Sequence, residues 1–268
     1  MDTFNLNGGE LNITSGGGLI NSGFYNQTSG MARVLNSGTF QNDQDITLEG
    51  GTFQVDAGGI VNGIGRTTLN GGTLRLNGEI DQTTGLGTPT GLTINGGLLE
   101  GSGIFRGNID NAGGAVGPGN SPGTLTIDGD YTQGRGGSLS LEIDSLLSFD
   151  VLDIMGSATL DGLLDLQVDA AYAASAQDGD MFTIIKWDSF SGAFSSVTGL
   201  NFAANKFFTL DYGATGLTLT VNGQTIATPE RGIIVLFGMG LAGYGLYPAT
   251  PETLIKRIVI PATAGISS

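Results

Sequence analysis

One short phrase recurs along the first hundred residues: an apolar residue, then Asn, a small residue and Gly, followed by a few residues of alternating polarity. It stands at Leu6-Asn7-Gly8-Gly9, Ile20-Asn21-Ser22-Gly23, Leu35-Asn36-Ser37-Gly38, Leu69-Asn70-Gly71-Gly72 and Ile94-Asn95-Gly96-Gly97, and with Glu for Asn at Leu48-Glu49-Gly50-Gly51. Gly supplies the positive φ of a tight corner and Asn can bond its own backbone across it, so the chain turns sharply and begins another strand. Apolar residues alternate along the flanking strands, as in Leu74 and Leu76 or Leu125 and Ile127, which gives each strand one inward face. Counted from the Asn or Glu, the steps are 14, 15, 13, 21 and 25 residues. A fixed corner at variable spacing predicts a β-solenoid whose coils differ in length, with Asn side chains of successive coils stacked in amide ladders. A row of ordinary hairpins is the alternative, because Asn-Gly between alternating strands is also the strongest hairpin signal. Six recurrences of one half-pattern favour the solenoid.

The glycines divide the chain. Residues 1–140 hold 34 of the 48, whereas residues 141–228 hold 8. A quarter Gly without a Gly-X-Y period is too much for packed helices, where each interior Gly costs about 1 kcal/mol, and suits short strands and corners. Residues 1–140 are therefore read as Gly-rich solenoid repeats and 141–222 as the strands that close the solenoid, since Ser138 to Ile143 alternates cleanly and further strand patterns follow. The Ala-rich Asp169 to Ala176 is the one stretch before residue 228 that approaches a helical period. The fold class expected is all-β.

Composition narrows the chemistry. The absence of His and Cys excludes Ser-His-Asp and Cys-His nucleophile systems, thiolate or imidazole zinc sites and disulfides. With 10 Lys+Arg against 25 Asp+Glu the net charge is −15, and the basic residues are scattered, which argues against nucleic acid and anionic headgroups as partners. Carboxylates remain. Asp128-Gly129-Asp130 and Asp178-Gly179-Asp180 space two acids for a glycosidase pair or a Ca²⁺ site, but Asp-Gly is also ordinary turn chemistry, and turns are the favoured reading. Asp150 and Asp153 are expected to be solvated. Trp187, Phe190, Phe194, Phe202, Phe207, Phe208 and Tyr212 suit either a sugar-stacking face or, preferably, the packed cap of an open coil end. No cofactor or metal is expected.

At residues 113–133 the chain reads GGAVGPGNSPGTLTIDGDYTQ. This resembles a segment of autotransporter passenger-like repeat proteins and of many PEP-CTERM surface proteins, and the similarity extends over about residues 90–247. The resemblance implies a right-handed parallel β-helix exported to the bacterial cell envelope. The carboxy-terminal part is similar to a PEP-CTERM sorting signal. Pro229 and Glu230, in a linker at 223–231, match its motif, although Arg231 stands where the second Pro belongs. An uncharged stretch follows: Gly232, Ile233, Ile234, Val235, Leu236, Phe237, Gly238, Met239, Gly240, Leu241, Ala242, Gly243, Tyr244, Gly245, Leu246 and Tyr247. As a helix it would be roughly 24 Å long, a marginal transmembrane span for a ~30 Å hydrocarbon core. A buried helix or strand pair is the alternative, but Gly238, Gly240, Gly243 and Gly245 suit a membrane helix better than a soluble one. Lys256 and Arg257 arrive late for the basic cluster of such a signal, and residues 248–268 form a tail of unknown role.

The resemblance thus implies an exosortase-type processing enzyme as partner, a membrane anchor through 232–247, and a surface or extracellular destination, with extracellular polysaccharide as a further partner. Met1-Asp2-Thr3-Phe4-Asn5-Leu6 enters the repeat at once, without a basic or apolar leader, so the chain is expected to be a fragment or to begin at an internal Met. The expected function is structural or adhesive and non-enzymatic. The rivals are an autotransporter-type adhesin fragment, for which no run of amphipathic translocator strands follows residue 228, and a β-helical polysaccharide lyase or hydrolase by fold analogy.

Overall fold

The computed structural model describes residues 2–83 and 91–223. Among these the chain is all-β apart from one six-residue helix, and its strands lie in two sheets of 17 and 11. The chain winds as a β-solenoid of about eight turns. A middle coil has three short strands: Gly91–Ile94, Leu98–Gly101 and Ile104–Arg106 in the fifth, Asn108–Asn111, Ala115–Pro118 and Thr124–Asp128 in the sixth. In the first two coils the first and second strands run on as Thr3–Ile13 and Phe24–Val34, which joins two faces into the larger sheet. The third face is the smaller sheet.

Corresponding strands of successive coils pair in parallel. On the first face Phe4, Tyr25, Ile46 and Thr67 stand in register 21 residues apart, and the column continues through Leu92, Ile109, Tyr131, Ala158 and Phe190. The early coils are thus regular and the later ones vary in length. Much of the irregular spacing of the corner phrase has another origin: one phrase serves three corners. Asn7, Glu49, Asn70 and Asn95 turn the chain from the first face to the second, Asn36 from the second to the third, and Asn21 from the third to the next coil.

At the first of these corners a glycine of positive φ recurs in each of the first five coils, and from the second coil on it is dictated by its neighbours. Gly9, Gly30, Gly51, Gly72 and Gly97 all have φ between 72° and 81°. A Cβ on Gly97 would lie 2.6 Å from the Gly72 carbonyl oxygen and one on Gly30 2.5 Å from that of Gly9, while Gly51 and Gly72 approach the coil below more closely still. The residue two before each glycine makes the expected side-chain ladder: Thr28 Oγ1 donates to Asn7 Oδ1 at 2.9 Å, Asn70 Nδ2 to Glu49 Oε1 at 2.8 Å, and Asn95 Nδ2 to Asn70 Oδ1 at 2.9 Å.

Inside, alternate residues stack in apolar columns such as Ala32, Phe53, Leu74, Leu99, Val116, Leu139 and Leu164, all buried. Each buried Leu or Phe there contributes about 1.5–3 kcal/mol. Two of the buried polar side chains, Gln27 and Gln133, follow a tyrosine at two residues' distance and serve the corner. In Tyr25-Asn26-Gln27 and Tyr131-Thr132-Gln133 the tyrosine hydroxyl donates to the glutamine Oε1 at 3.0 and 2.8 Å. Gln133 Nε2 then donates to the carbonyls of Asp161 and Leu163, and Gln27 Nε2 to those of Gly30 and Thr52, so a buried amide satisfies backbone acceptors at a corner and in the next coil.

Parallel stacking ends at Ser189–Gly192 and Ser196–Thr198. Lys206–Gly213 and Gly216–Gly223 then form an antiparallel hairpin whose second strand pairs with Met181–Lys186. The helix Ala170–Ser175 forms where the Ala-rich stretch predicts it, with the Asp169 carboxylate accepting from the Ala171 and Tyr172 amides. Tyr172, Phe182, Phe202 and Phe208 pack ring to ring with centroids 4.3–6.4 Å apart, and Trp187, Phe190 and Tyr212 form a second stack. Phe194 is buried beside them. Most of the aromatic set thus packs together at the end of the parallel stack, while Phe190 stays 36% exposed.

Two substitutions test this core. Gly72→Ala adds a Cβ at φ 75° against a backbone oxygen that cannot move aside, and is expected to lower unfolding stability by at least about 2 kcal/mol in urea titration. Gln133→Leu keeps the volume but leaves buried carbonyls unsatisfied, and the same measurement is expected to show a loss of about 2–4 kcal/mol.

Candidate functional site

The second face carries an outward column in which Arg33, Gln54, Arg75, Glu100 and Gly117 stand in register, and by the pairing of Val116 with Leu139 it continues to Ser140, Asp165 and Thr198. Its side chains bond from coil to coil. Arg75 pairs with Glu100 at 2.6 Å and donates to Gln54 Oε1 at 3.3 Å, and Ser140 Oγ meets Asp165 Oδ2 at 3.4 Å. Two further arginines find carboxylates this way: Arg33 pairs with Asp56, and on the third face Arg106 bridges Glu79 and Asp128 at 2.8 and 2.6 Å. Pairs this exposed are each worth about 0–1 kcal/mol and mainly order the surface.

The column has one gap. Gly117 has no side chain, its φ is not positive, and a Cβ there would approach nothing nearer than Leu98 Cδ1 at 4.0 Å. Unlike the corner glycines it is required neither by the backbone conformation nor by a close approach. Over it lies a slot of about 580 Å³ across the face. Leu98, Arg75 and Glu100 line one side, Ser140, Glu142 and Gln167 the other.

The end wall of the slot is the segment Pro118-Gly119-Asn120-Ser121-Pro122-Gly123, the centre of the phrase that carries the family resemblance. Its hold is made of hydrogen bonds. Gly119 N donates to the Gly101 carbonyl at 2.8 Å, Asn120 Nδ2 to Asn77 Oδ1 at 2.8 Å, and Ser121 Oγ to Glu142 Oε2 at 2.6 Å. Ser121 sits at φ 62°, a conformation a non-glycine residue keeps only when its surroundings impose it.

Beneath the wall lies Asp150. Its carboxylate accepts from the Gly123 amide and from the Glu142 amide, both at 2.8 Å, and a Cβ on Gly119 would collide with it. Asp150 is only 2% exposed, which corrects the expectation of a solvated residue. The cause is an excursion that spacing alone does not reveal. Ser138–Ser145 overshoots, returns antiparallel as Ser148–Phe149, and tucks residue 150 under the loop, where its amide donates to the Glu142 carbonyl at 2.8 Å. Asp153 stays on the outward, half-buried side of Val151–Ile154. Burial raises the Asp150 pKa to about 6; the Glu142 and Asp144 charges push the same way, and the two amide donors oppose it.

The two Asp-Gly-Asp segments are turns. Asp128 is held by Arg106 while Asp130 accepts from the Ser157 amide at 2.8 Å; Asp178 pairs with Lys206 while Asp180 accepts from the Tyr172 hydroxyl at 2.9 Å. Each acid serves a different neighbour. Among the described residues no three acids gather as a metal site, and no helix is long and apolar enough to cross a membrane. Pro229, Glu230 and the stretch from Gly232 to Tyr247 lie outside the described residues. No protein-family model matches this chain, and no curated protein matches its sequence.

The Asp150 pKa has a signed consequence. The native state holds this proton up to about pH 6 and the unfolded chain only to about 4, so the native state binds more protons between those values. The group's contribution to stability is full below about pH 4 and is lost as pH rises through about 6. The stability of the wild type relative to Asp150→Asn should therefore rise on acidification across this window, by up to about 3 kcal/mol, and stay level above pH ~7. Urea midpoints measured against pH check it, with a carboxyl NMR titration of Asp150 centred near 6 as the direct readout.

Proposed function

We propose that this chain is a non-enzymatic, exported β-helix of right-handed winding that serves at the bacterial cell surface or in the extracellular matrix as a structural or adhesive element. The observation that carries this reading is the parallel stack of coils, closed at one end by aromatic packing and joined on its outer faces by side-chain hydrogen bonds and ion pairs between coils. Such a stack is a spacer with long, polar, repetitive faces, suited to bearing load and presenting contacts along its length. The carboxy-terminal Pro229-Glu230 and the apolar Gly232 to Tyr247 support the destination: membrane insertion of the precursor, then processing by an exosortase-type enzyme. Extracellular polysaccharide is the natural partner of such a surface, and the strong negative charge keeps it off nucleic acid and anionic lipid.

Fractionation of cells with and without the cognate exosortase tests the reading. The protein should reach the surface or medium when the enzyme is present and accumulate in the membrane fraction when it is absent. Equal distribution in both strains would contradict processing, and recovery in the cytosol would contradict export.

A further inference from the structure

We propose that the slot over Gly117 is a binding site for one hexopyranose unit of an uncharged polysaccharide. Neighbouring coils are about 4.8 Å apart, so the side chains that flank the missing one stand about 9.6 Å from each other across the slot, the breadth of a single ring laid along the strand direction. The floor is the strand backbone at Gly117, which pairs with Glu100 in the preceding coil while its neighbour Val116 pairs with Leu139 in the next, so the strand lies inside the sheet and offers no free edge for a peptide strand. Leu98, half-buried on the outward side of its strand, offers the apolar contact that the C–H face of a sugar needs. Around it stand donors and acceptors: Arg75 donates and Glu100 accepts on one side, while the hydroxyls and amides of Ser140 and Gln167 on the other and of Asn120 and Ser121 at the end do both.

Charge selects among saccharides. Glu100, Glu142 and Asp150 face one arginine, which Glu100 already neutralises, so an acidic sugar would enter against like charge while a neutral one meets only hydrogen-bonding partners. The wall is pre-organised by the Asp150 and Glu142 bonds, so little ordering is left to oppose binding. The choice of a polysaccharide as source of the ring rests on the reading of an exported protein; the slot and its preference for uncharged rings do not.

Gly117→Gln is the decisive variant, because it restores the missing member of the column, projects a side chain into the centre of the slot and has open space for its Cβ. Gluco-, manno- and galacto-hexasaccharides and an oligogalacturonate are titrated at millimolar concentration into the purified chain and followed by amide NMR. At least one neutral hexamer should shift the signals of Gly117, Ser140 and Gln167, and the oligogalacturonate should not. Gly117→Gln should weaken that binding by about tenfold or more at an unchanged urea midpoint. Ser140→Gln, which projects a longer side chain into the slot from the next coil, gives the same readout if the first variant is unstable. Absence of neutral binding, equal binding of the acidic oligomer, or full binding by these variants would overturn the proposal. The titration uses purified protein, so its failure leaves the export reading standing, and failure of the fractionation leaves the slot standing.

Discussion

In a stack of parallel coils every strand takes its hydrogen bonds from the coil before and the coil after, so each corner must bring the chain back in register with the backbone beneath it. The corner between the first and second faces does this at near-contact distance, with the second glycine of each early coil lying over the carbonyl of the one before it. No side chain fits there. The apolar columns, the amide ladders and the outward faces all inherit their alignment from this repeated approach, because a one-residue slip would turn every inward side chain outward.

The later coils show how the fold tolerates change while keeping that alignment. Where the Asn ladder ends, at Ala112, the buried side chain of Asn111 takes over: its Oδ1 accepts from Gly114 N at 2.9 Å and its Nδ2 donates to the Ser138 carbonyl at 3.3 Å. Gln133 does the same in the next coil. Exposed ladder and interior amide tie successive coils together at the same corner in two ways: the ladder joins side chains at the surface, and the interior amide bonds backbone groups from within. Extra residues are placed where they disturb little, at the corner between the second and third faces. There they build the Pro118 to Gly123 loop and the Ser145 to Ser148 excursion, and these shape the slot.

The solenoid is legible in the corner phrase because its chemistry is local: Asn and Gly announce a turn wherever they stand. Which corner each phrase serves is not legible, since the phrases at Asn21, Asn36 and Glu49 look alike in sequence yet sit at three different bends. The Tyr-x-Gln dyads carry a readable signal, a polar residue two after a tyrosine at an inward position of two strands, but alternation alone treats Gln27 and Gln133 as breaks in the pattern. Asp150 escapes for a different reason. Its burial depends on a local hairpin excursion that tucks it under the loop of the preceding coil, and no period in the sequence encodes it. The slot at Gly117 is likewise invisible from sequence, because in a chain with 48 glycines one that is needed for neither turn nor contact looks like all the others.

The register of the coils is the claim on which the rest stands, and the absence of native cysteine makes it directly measurable. Thr47 and Thr68 face each other on the first face in adjacent coils. In a hairpin turning at Asn70-Gly71, Thr68 would instead oppose Thr73. Cysteines placed at 47 and 68 should oxidise quickly to an intramolecular disulfide, since parallel neighbours lie within the bridging range, and a 68/73 pair should not. Rapid closure of the 68/73 pair, with 47/68 remaining reduced, would contradict the coil stack.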